Sequence, residues 1–360
     1  MRVFFVIGTR PEIIKMAPVI HECEKRSIEH FVLHTGQHYS DNMSKAFFDD
    51  LSLKAPDKNL NIGSGSHSEQ TAKALLGIEK ELLSYKPDVV LVQGDTNAVL
   101  SATIVAVKLH IPVGHIEAGL RSNDVRMPEE HNRRLTDHAS AFLFAPTEET
   151  AETLRGEKVW GRIFVTGNTV IDALEKLIPE AEERIANSKF SNRNNFVLLT
   201  MHRAENVDDK KTLTGIIEGL ISLDEEILFL AHPRTVSRLE EFNLMEMIKN
   251  NSRIEILEPV SYLIFLGLMK RAKYILTDSG GIQEEVTAPS INRRAFVLRT
   301  STERPEAVSS GHVSVVGVNP KEFPTKIKEY VDKGLDVHMP GPYGDGLASE
   351  RILDILVDYI

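Results

Sequence analysis

The sequence predicts an α/β protein made of two doubly wound domains, each built on a parallel sheet. Short apolar runs alternate with helical patterns of about 10–15 residues, which is typical of repeated βαβ units. A Glu- and Ala-rich helical segment and a polar stretch over 169–194 interrupt this alternation, and the strand pattern then restarts. At 360 residues the chain also exceeds one ordinary core, so two domains are expected.

The first half opens with an apolar run over 2–8 that predicts a buried strand. A helical pattern follows from Pro11, a residue suited to the first helical turn. Ser66 to Glu69 form a capping box, which predicts a helix to about Tyr85, and another helix is expected to open at Pro128. The other strands predicted in this half are 31–33, 89–92, 111–114, 141–144 and 163–165.

The second half repeats the pattern and ends in a helix. Predicted strands are 196–199, 227–230, 254–256, 274–276 and 295–298. A Gly-rich loop at 341–346 precedes the last helix, predicted at about 347–359.

Composition narrows the classes of partner. The net charge of −10 argues against broad binding to nucleic acid or to anionic membranes. Cys23 is the only cysteine, so an internal disulfide and a Cys-based metal cluster are excluded. Apolar runs stay far below the ~18–20 residues of a membrane span, and the N-terminal strand does not resemble a signal peptide. A cytoplasmic location is expected.

The stretch 277–285, Thr-Asp-Ser-Gly-Gly-Ile-Gln-Glu-Glu, is the centre of the functional hypothesis. It joins a predicted strand to a predicted helix through Gly280 and Gly281, and such a junction offers backbone N–H groups to a phosphate. Ser279 could add a hydroxyl donor, and Glu285 could accept the two hydroxyls of a ribose. The alternative is a simple turn with acidic residues near a helix dipole, and this stretch alone does not decide between them.

Several polar residues follow directly after predicted strands. Parallel strands bring their carboxyl ends to one edge of a sheet, where open α/β sheets bind ligands. Two such edges facing each other would line a catalytic cleft. The residues in these positions are Asp95, Glu117, His202, His232, Asp278 and Arg299.

Three carboxylates, Asp95, Glu117 and Glu129, are candidates for general acid and base. Asp95 could instead cap the following helix, and Glu129 could form an ordinary surface pair with Arg133. His202 could donate to a leaving phosphate or could be a structural histidine at a strand end.

Basic residues are also placed near these predicted ends. Arg10 and Lys15 lie in the first helix, where positive charge opposes the dipole unless an anion binds there, and either could simply be solvated. Arg304 could bind a phosphate or brace nearby acids. No Cys ligands or His-x-x-x-His pair is present, and Gly-x-x-x-x-Gly-Lys and a Gly-x-Gly-x-x-Gly after the first strand are missing. Neither a metal nor a nicotinamide cofactor is expected.

A set of short motifs occurs in order along nearly the whole chain. They are Gly8-Thr9-Arg10-Pro11-Glu12, Gly36-Gln37-His38, Gly94-Asp95-Thr96, His115-Ile116-Glu117-Ala118-Gly119-Leu120-Arg121, Pro128-Glu129-Glu130 with Asn132-Arg133, His202-Arg203-x-Glu205-Asn206, Asp278-Ser279-Gly280-Gly281-Ile282-Gln283-Glu284-Glu285, Thr302-Glu303-Arg304-Pro305-Glu306 and Pro342-Tyr343-Gly344-Asp345-Gly346. In this combination the sequence resembles the non-hydrolysing UDP-N-acetylglucosamine 2-epimerases.

The resemblance implies a GT-B-like fold of two Rossmann-like domains with a cleft between them. The N-terminal domain would comprise 1–168 with the closing helix 347–360, which crosses back to it, and the C-terminal, UDP-binding domain would comprise 169–346. It also implies a homodimer and a place in nucleotide-sugar metabolism and polysaccharide biosynthesis.

The implied reaction interconverts UDP-GlcNAc and UDP-ManNAc by elimination of UDP to 2-acetamidoglucal and re-addition, without a cofactor. By position, the residues that handle protons are Asp95, Glu117 and Glu129, with Arg133 bracing them and His202 assisting the departing phosphate. The residues that hold the diphosphate are Arg10, Ser279, Gly280, Gly281 and Arg304, with Lys15 nearby; Glu285 would bind the ribose and Phe265 the uracil region.

The sequence departs from the family at positions linked to a second, activating UDP-GlcNAc. Gln37 and His38 are present, but Ser40 and Glu69 replace a Gln and an Arg, so activation by substrate is an open question. Three rival functions stay open. The first is a hydrolysing epimerase, which the Glu303–Glu306 motif disfavours. The others are a GT-B glycosyltransferase, which would need an acceptor, and a non-catalytic UDP-sugar sensor.

Overall fold

The computed structural model describes residues 1–36, 48 and 51–360. Gln37, His38 and Ser40 therefore lie outside the described residues. The chain forms two compact units, Met1–Ala173 with Tyr343–Ile360, and Leu174–Pro342. Each contains one parallel sheet with helices between its strands, which confirms the predicted fold class.

The sheet of the first unit has the strand order β3-β2-β1-β4-β5-β6-β7 within the described residues. Its strands are β1 (Arg2–Ile7), β2 (Glu29–His34), β3 (Lys58–Asn59), β4 (Val89–Gln93), β5 (Val113–Ile116), β6 (Phe142–Ala145) and β7 (Arg162–Val165). The helices are α1 (Arg10–Lys25), α2 (His67–Tyr85), α3 (Asn97–Lys108), α4 (Pro128–Ala139), α5 (Glu148–Gly156) and the start of α6 (Thr169–Ala186). The chain order reverses at β1 and β4, so a ligand is expected beside their carboxyl ends.

Two local details of this unit test the sequence analysis. The capping box that opens α2 is present, because Ser66 Oγ accepts from Glu69 N and the Glu69 carboxylate accepts from Ser66 N. The strand predicted at 111–114 is shifted, since β5 begins only at Val113. The Ile111 N–H is bonded to the end of α3 and Pro112 has no N–H to offer. As a result, Glu117 is the first residue after the strand.

The sheet of the second unit has the order β10-β9-β8-β11-β12-β13. The strands are β8 (Val197–Met201), β9 (Ile227–Ala231), β10 (Ile254–Leu257), β11 (Tyr274–Thr277), β12 (Ala295–Val297) and β13 (Val313–Val315). The helices are α7 (Ala204–Val207), α8 (Lys210–Ser222), α9 (Pro233–Glu241), α10 (Met245–Lys249), α11 (Tyr262–Arg271), α12 (Gly280–Glu285), α13 (Pro305–Ser309) and α14 (Phe323–Lys333). The sequence analysis did not predict β3, β13 or α14.

The last helix, α15 (Ala348–Tyr359), belongs to the first unit and packs on α1. Lys25 Nζ lies 3.1 Å from Glu350 Oε1, and Arg26 Nη1 lies 2.6 Å from Asp354 Oδ1. The predicted return of the closing helix is therefore confirmed. No helix in the described part of the chain is long and apolar enough to cross a membrane.

Candidate active site

Glu117 lies at the carboxyl end of β5 and is held at both carboxylate oxygens. Lys15 Nζ donates to Oε1 at 2.6 Å, and Gln93 Nε2 donates to Oε2. The Lys15 and Glu117 side chains are only 12% and 6% exposed. Glu117 also has a φ of +69°, which is strained for a residue with a side chain and is often found at functional sites. Lys15, expected near a diphosphate, is therefore the cation that pairs with Glu117.

Asp95 follows β4 and is fixed by Arg133 from α4. Arg133 donates to Asp95 Oδ2 through Nε at 3.1 Å and also through Nη2, and its Nη1 donates to Glu130 at 3.0 Å. Asp95 Oδ1 accepts no hydrogen bond from the described residues. The alternative role as a helix cap is wrong, because Thr96 caps α3 instead. One oxygen of Asp95 is thus anchored by Arg133, and the Asp95 side chain is 31% exposed.

Glu129 is the second residue of α4 and is half-buried. It forms no hydrogen bond or ion pair with any residue that the structure describes. The surface pair with Arg133 that its spacing allows is absent, since Arg133 is engaged by Asp95 and Glu130. Glu130, which the sequence analysis quoted in a motif without giving it a role, is a buried acid of α4 and accepts from Ser122 N at 2.9 Å. The three candidate acids therefore have three different environments.

Glu12, also missed, joins two of the loops at this sheet edge. Its carboxylate accepts from Gly8 N at 2.9 Å, Thr9 N at 2.5 Å and Thr96 Oγ1 at 2.8 Å. Burial raises the pKa of Glu12 to about 7, against the opposing effect of these hydrogen bonds. Arg10, between Thr9 and Glu12 in the chain, is the first residue of α1 and is half-buried.

In the second unit, Asp278 anchors the end of β8. It is fully buried and accepts from the backbone N–H of His202 at 3.1 Å, that of Arg203 at 2.9 Å, and Asn206 Nδ2 at 3.0 Å. His202 Nδ1 lies 3.4 Å from Asp278 Oδ1. Burial lowers the pKa of His202, Asp278 opposes this effect, and the charge of Arg203 adds to it. His202 is thus oriented by Asp278 and favours its neutral form.

The Ser-Gly-Gly turn leaves open space beside its backbone. A Cβ added at Gly280 would meet only Arg203 Nη2, at 3.9 Å, and one at Gly281 would meet only Ser279 Oγ, at 3.9 Å. Neither glycine has a positive φ. Ser279 Oγ forms no hydrogen bond within the described residues, although Ser279 is the N-cap of α12. Neither the backbone conformation nor the packing therefore requires glycine at these two positions.

Three arginines lie at the strand ends and loops of this unit. Arg203 Nε and Arg299 Nη1 are buried and have no hydrogen-bond partner among the described residues. Arg304 is held by an ion pair of its Nε to Glu284 Oε1 at 2.5 Å, and the Glu284 side chain is 1% exposed. Buried guanidinium donors without a partner are costly, and an anion that accepts from them would remove that cost. Arg203 was missed, although it directly follows His202.

Glu285 is paired with an aromatic residue that the sequence analysis did not single out. Tyr262 donates its hydroxyl to Glu285 Oε1 at 2.9 Å, and burial followed by the charge of Glu285 raises the pKa of Tyr262 well above its usual value. Phe265, one turn further along α11, stacks with Tyr262 at a centroid distance of 6.4 Å. This places a carboxylate acceptor beside two aromatic rings, which suits a ribose and a base. Among the described residues no cluster of three or more His, Cys, Asp and Glu could hold a metal ion.

The fold and these two groups of residues define an enzyme of the GT-B-like class, with two Rossmann-like domains. The family model described as UDP-N-acetylglucosamine 2-epimerase matches residues 21–357. The chain therefore belongs to the UDP-N-acetylglucosamine 2-epimerase family, and the resemblance seen in the sequence is confirmed.

Individual relatives agree with this assignment. UDP-N-acetylglucosamine 2-epimerase of Methanocaldococcus jannaschii is 48% identical over 365 residues, covering 99% of each chain. The crystal structure of that enzyme in complex with UDP-GlcNAc and UDP matches with a TM-score of 0.87 and covers 99% of this chain and 100% of the other. UDP-2,3-diacetamido-2,3-dideoxy-D-glucuronate 2-epimerase of Pseudomonas aeruginosa is 36% identical, covering 99% of each chain.

Proposed function

We propose that this enzyme reversibly inverts C2 of UDP-GlcNAc to give UDP-ManNAc, with UDP eliminated and then added back. The observation that carries the proposal is the set of three carboxylates in the first unit. Within the described residues, Glu117 is bonded at both oxygens, Asp95 at one, and Glu129 at neither. Carboxylates in different environments can take different proton-transfer roles, and inversion needs one group to remove a proton and another to return it.

The proposed reaction balances without a cofactor. A carboxylate takes the C2 proton, the electron pair forms the C1–C2 double bond, and the C1–O bond breaks toward the β-phosphate of UDP. The products of this step are UDP and 2-acetamidoglucal. A second acid then protonates C2 from the opposite face while a phosphate oxygen of UDP attacks C1. Asp95, Glu117 and Glu129 are the proposed proton carriers, with Arg133 positioning Asp95.

The second unit supplies the proposed UDP site. The open Ser279–Gly281 turn and Arg304 would bind the diphosphate, Glu285 the ribose and Phe265 the uracil. Arg10, in the first unit, is the further diphosphate ligand that the resemblance implies. Preorganised donors of this kind stabilise the charge that develops on a departing phosphate.

His202 would become protonated when the substrate binds and would then assist the departure of UDP. Burial is the main cause that lowers the pKa of His202. A bound diphosphate is an anion, so it would favour the protonated imidazole and provide a donor to the phosphate oxygen. Histidine protonation would in this way be coupled to substrate binding.

The test is proton and phosphorus NMR of the enzyme with UDP-GlcNAc in D₂O. The expected product is UDP-ManNAc that carries deuterium at C2. UDP should not accumulate in proportion to the product. Stoichiometric UDP and free ManNAc would instead identify a hydrolysing epimerase. An unchanged UDP-GlcNAc spectrum, with binding seen by calorimetry, would refute epimerisation of this substrate and favour a sensor or a transferase.

One relative favours a second candidate substrate. The Pseudomonas aeruginosa relative acts, by its name, on UDP-2,3-diacetamido-2,3-dideoxy-D-glucuronate. That substrate has the same UDP group and the same C2 chemistry, but it carries a 3-acetamido group and a carboxylate. Comparing kcat/KM for the two substrates decides between them.

The roles of the acids are tested by Asp95→Asn, Glu117→Gln and Glu129→Gln. Losing one general acid or base lowers the rate by about 10²–10⁴-fold. We expect that loss in kcat for each variant, with UDP affinity by calorimetry unchanged, because the proposed nucleotide ligands are other residues. Near-normal kcat in all three variants would contradict the assignment.

We also propose that the enzyme is a homodimer, as the resemblance implies. Large apolar side chains are exposed on α2 and α4 of the first unit, with Leu76 at 72% and Leu135 at 56%. Light scattering coupled to size exclusion measures the assembly, and a monomer mass at micromolar concentration would contradict the proposal.

A further inference from the structure

His115 is a buried histidine that links the loops beside two of the candidate acids. It lies in β5, two residues before Glu117, and is 1% exposed. Its Nδ1 is 2.7 Å from Asp137 Oδ1, and its Nε2 is 2.8 Å from the carbonyl oxygen of Gly94, the residue before Asp95. A carbonyl oxygen only accepts hydrogen bonds, so Nε2 donates to Gly94, and Nδ1 forms the second hydrogen bond with the Asp137 carboxyl group.

Asp137 continues this link to the other side of Glu117. It is fully buried on α4, and its second oxygen accepts from Gly119 N at 3.2 Å and from Arg121 Nη1 at 2.7 Å. Gly119 has a φ of +88°, and a Cβ there would collide with the Thr150 carbonyl. Glycine is therefore required at this position in the turn that follows Glu117.

The geometry points to His115 as a positioning residue that fixes Asp95 relative to Glu117. It connects the end of β4, the end of β5 and α4, the three elements that carry Asp95, Glu117 and Glu129. This inference rests on the proposed proton-transfer roles of those acids. His115 does not act on the substrate. Its effect is on the spacing of the carboxylates, and misplacement by about 1 Å can lower a rate by about 10²-fold.

A hydrogen-bonded histidine serves this purpose better than an apolar residue. Gly94 has a φ of +80°, and a Cβ added there would meet no described atom within 4 Å, so the residue is not packed on that side. The bond from His115 Nε2 and the bond from Asn132 Nδ2 to the Asp95 carbonyl, at 2.9 Å, restrain this loop instead. Fully satisfied buried polar networks rigidify the groups that they connect.

Two substitutions separate the two hydrogen bonds. In His115→Gln, Nε2 of the amide can reach the Gly94 carbonyl as the imidazole Nε2 does, but the bond to Asp137 is lost. In His115→Asn, Nδ2 can reach Asp137, but the bond to Gly94 is lost. Each variant loses one buried hydrogen bond, so a purely structural role predicts similar effects. Thr136→Val is the control for disturbance of the core, because Thr136 is buried and its hydroxyl has no hydrogen-bond partner in the described part of the chain.

The measurements are kcat and KM for C2 deuterium exchange, UDP affinity, and thermal unfolding of each variant. We expect His115→Asn to lower kcat by about 10²-fold, as a misplaced carboxylate does, with KM and UDP affinity unchanged. His115→Gln and Thr136→Val should keep kcat within about fivefold of the wild-type value by the same reasoning. Equal losses of kcat in the two His115 variants, or losses that follow thermal stability, would overturn the inference.

A second readout does not depend on the substrate. In protein labelled with ¹⁵N-histidine, the spectrum should show a buried imidazole whose Nε2 proton exchanges slowly with solvent, and this signal should disappear in both His115 variants. A His115 ring without a proton on Nε2 would overturn the link even if the enzyme is active. If the wild-type enzyme shows no C2 exchange, the proposed function fails, and this spectrum still decides whether the link exists.

Discussion

Glu12→Gln should change how the stability of the first unit depends on pH. Glu12 is 2% exposed, and its pKa is raised from 4.5 to about 7 by burial. The amide of Gln has nearly the same shape. Its oxygen can accept from the backbone N–H groups of Gly8 and Thr9, and its NH₂ group can donate to Thr96 Oγ1, so the local structure should be retained. The variant therefore removes a titrating proton more than it removes a contact.

The sign follows from proton linkage. Between pH 4.5 and about 7 the unfolded chain has lost the Glu12 proton while the folded protein keeps it. The contribution of Glu12 to stability is therefore fully present below pH 4.5 and is lost as the pH rises through about 7. Since one pKa unit corresponds to about 1.4 kcal/mol, this interval amounts to about 3 kcal/mol in the free energy of unfolding. Glu12→Gln should lack this loss. Between pH 4.5 and pH 8 its free energy of unfolding should therefore rise relative to that of the wild-type protein by about 3 kcal/mol.

Urea unfolding followed by tryptophan fluorescence measures this difference at a series of pH values. Trp160 is the only tryptophan and lies in the first unit, so its emission reports on the unit that contains Glu12. Glu79→Gln, a change at an exposed carboxylate of α2, is the control. If the free energies of Glu12→Gln and wild type differ by a constant amount from pH 4.5 to 8, Glu12 does not titrate in this range and the reasoning is refuted.

Two further predictions concern the partners of the candidate acids. Lys15→Met removes the cation from the buried pair with Glu117. We therefore expect a loss of about 3 kcal/mol in the free energy of unfolding, together with a strong fall in kcat. An unchanged unfolding midpoint would contradict this prediction. Tyr262→Phe removes the hydroxyl that orients the Glu285 carboxylate, the group that we propose binds the ribose. UDP affinity by calorimetry should therefore fall about tenfold, which corresponds to about 1.4 kcal/mol. Unaltered UDP affinity in Tyr262→Phe would place the ribose elsewhere.

Much of the fold could be predicted because it depends on local patterns. The apolar run of β1, the capping box at Ser66 and the strand–Gly-Gly–helix turn at Gly280 are each written in consecutive residues. The predicted ends of strands were less accurate where a hydrogen bond to another element decided the boundary. At β5 the Ile111 N–H is bonded to the end of α3, and this contact moved the start of the strand to Val113. The short strands β3 and β13 are defined by parallel pairing with one neighbouring strand each, β2 and β12, and this pairing is not written in their own residues.

The sequence predicted which types of residue form the candidate site, but it did not predict which of these residues pair with each other. Sequence order suggested that Glu129 could pair with Arg133, four residues along the same helix. The structure instead pairs Arg133 with Asp95, 38 residues away, because β4 and α4 place these side chains together. Lys15 likewise pairs with Glu117, 102 residues away.

The sequence by itself determined the alternation of strands and helices, the family, and the chemical types available at the strand ends. These depend on hydrophobic periodicity, turn residues and ordered motifs, all of which are local. Tertiary structure decided which acid is neutralised, which is open, and which buried groups hold them. Glu12, Gln93 and His115 gained their roles there, because burial and hydrogen bonding depend on residues that the chain brings together only when it folds.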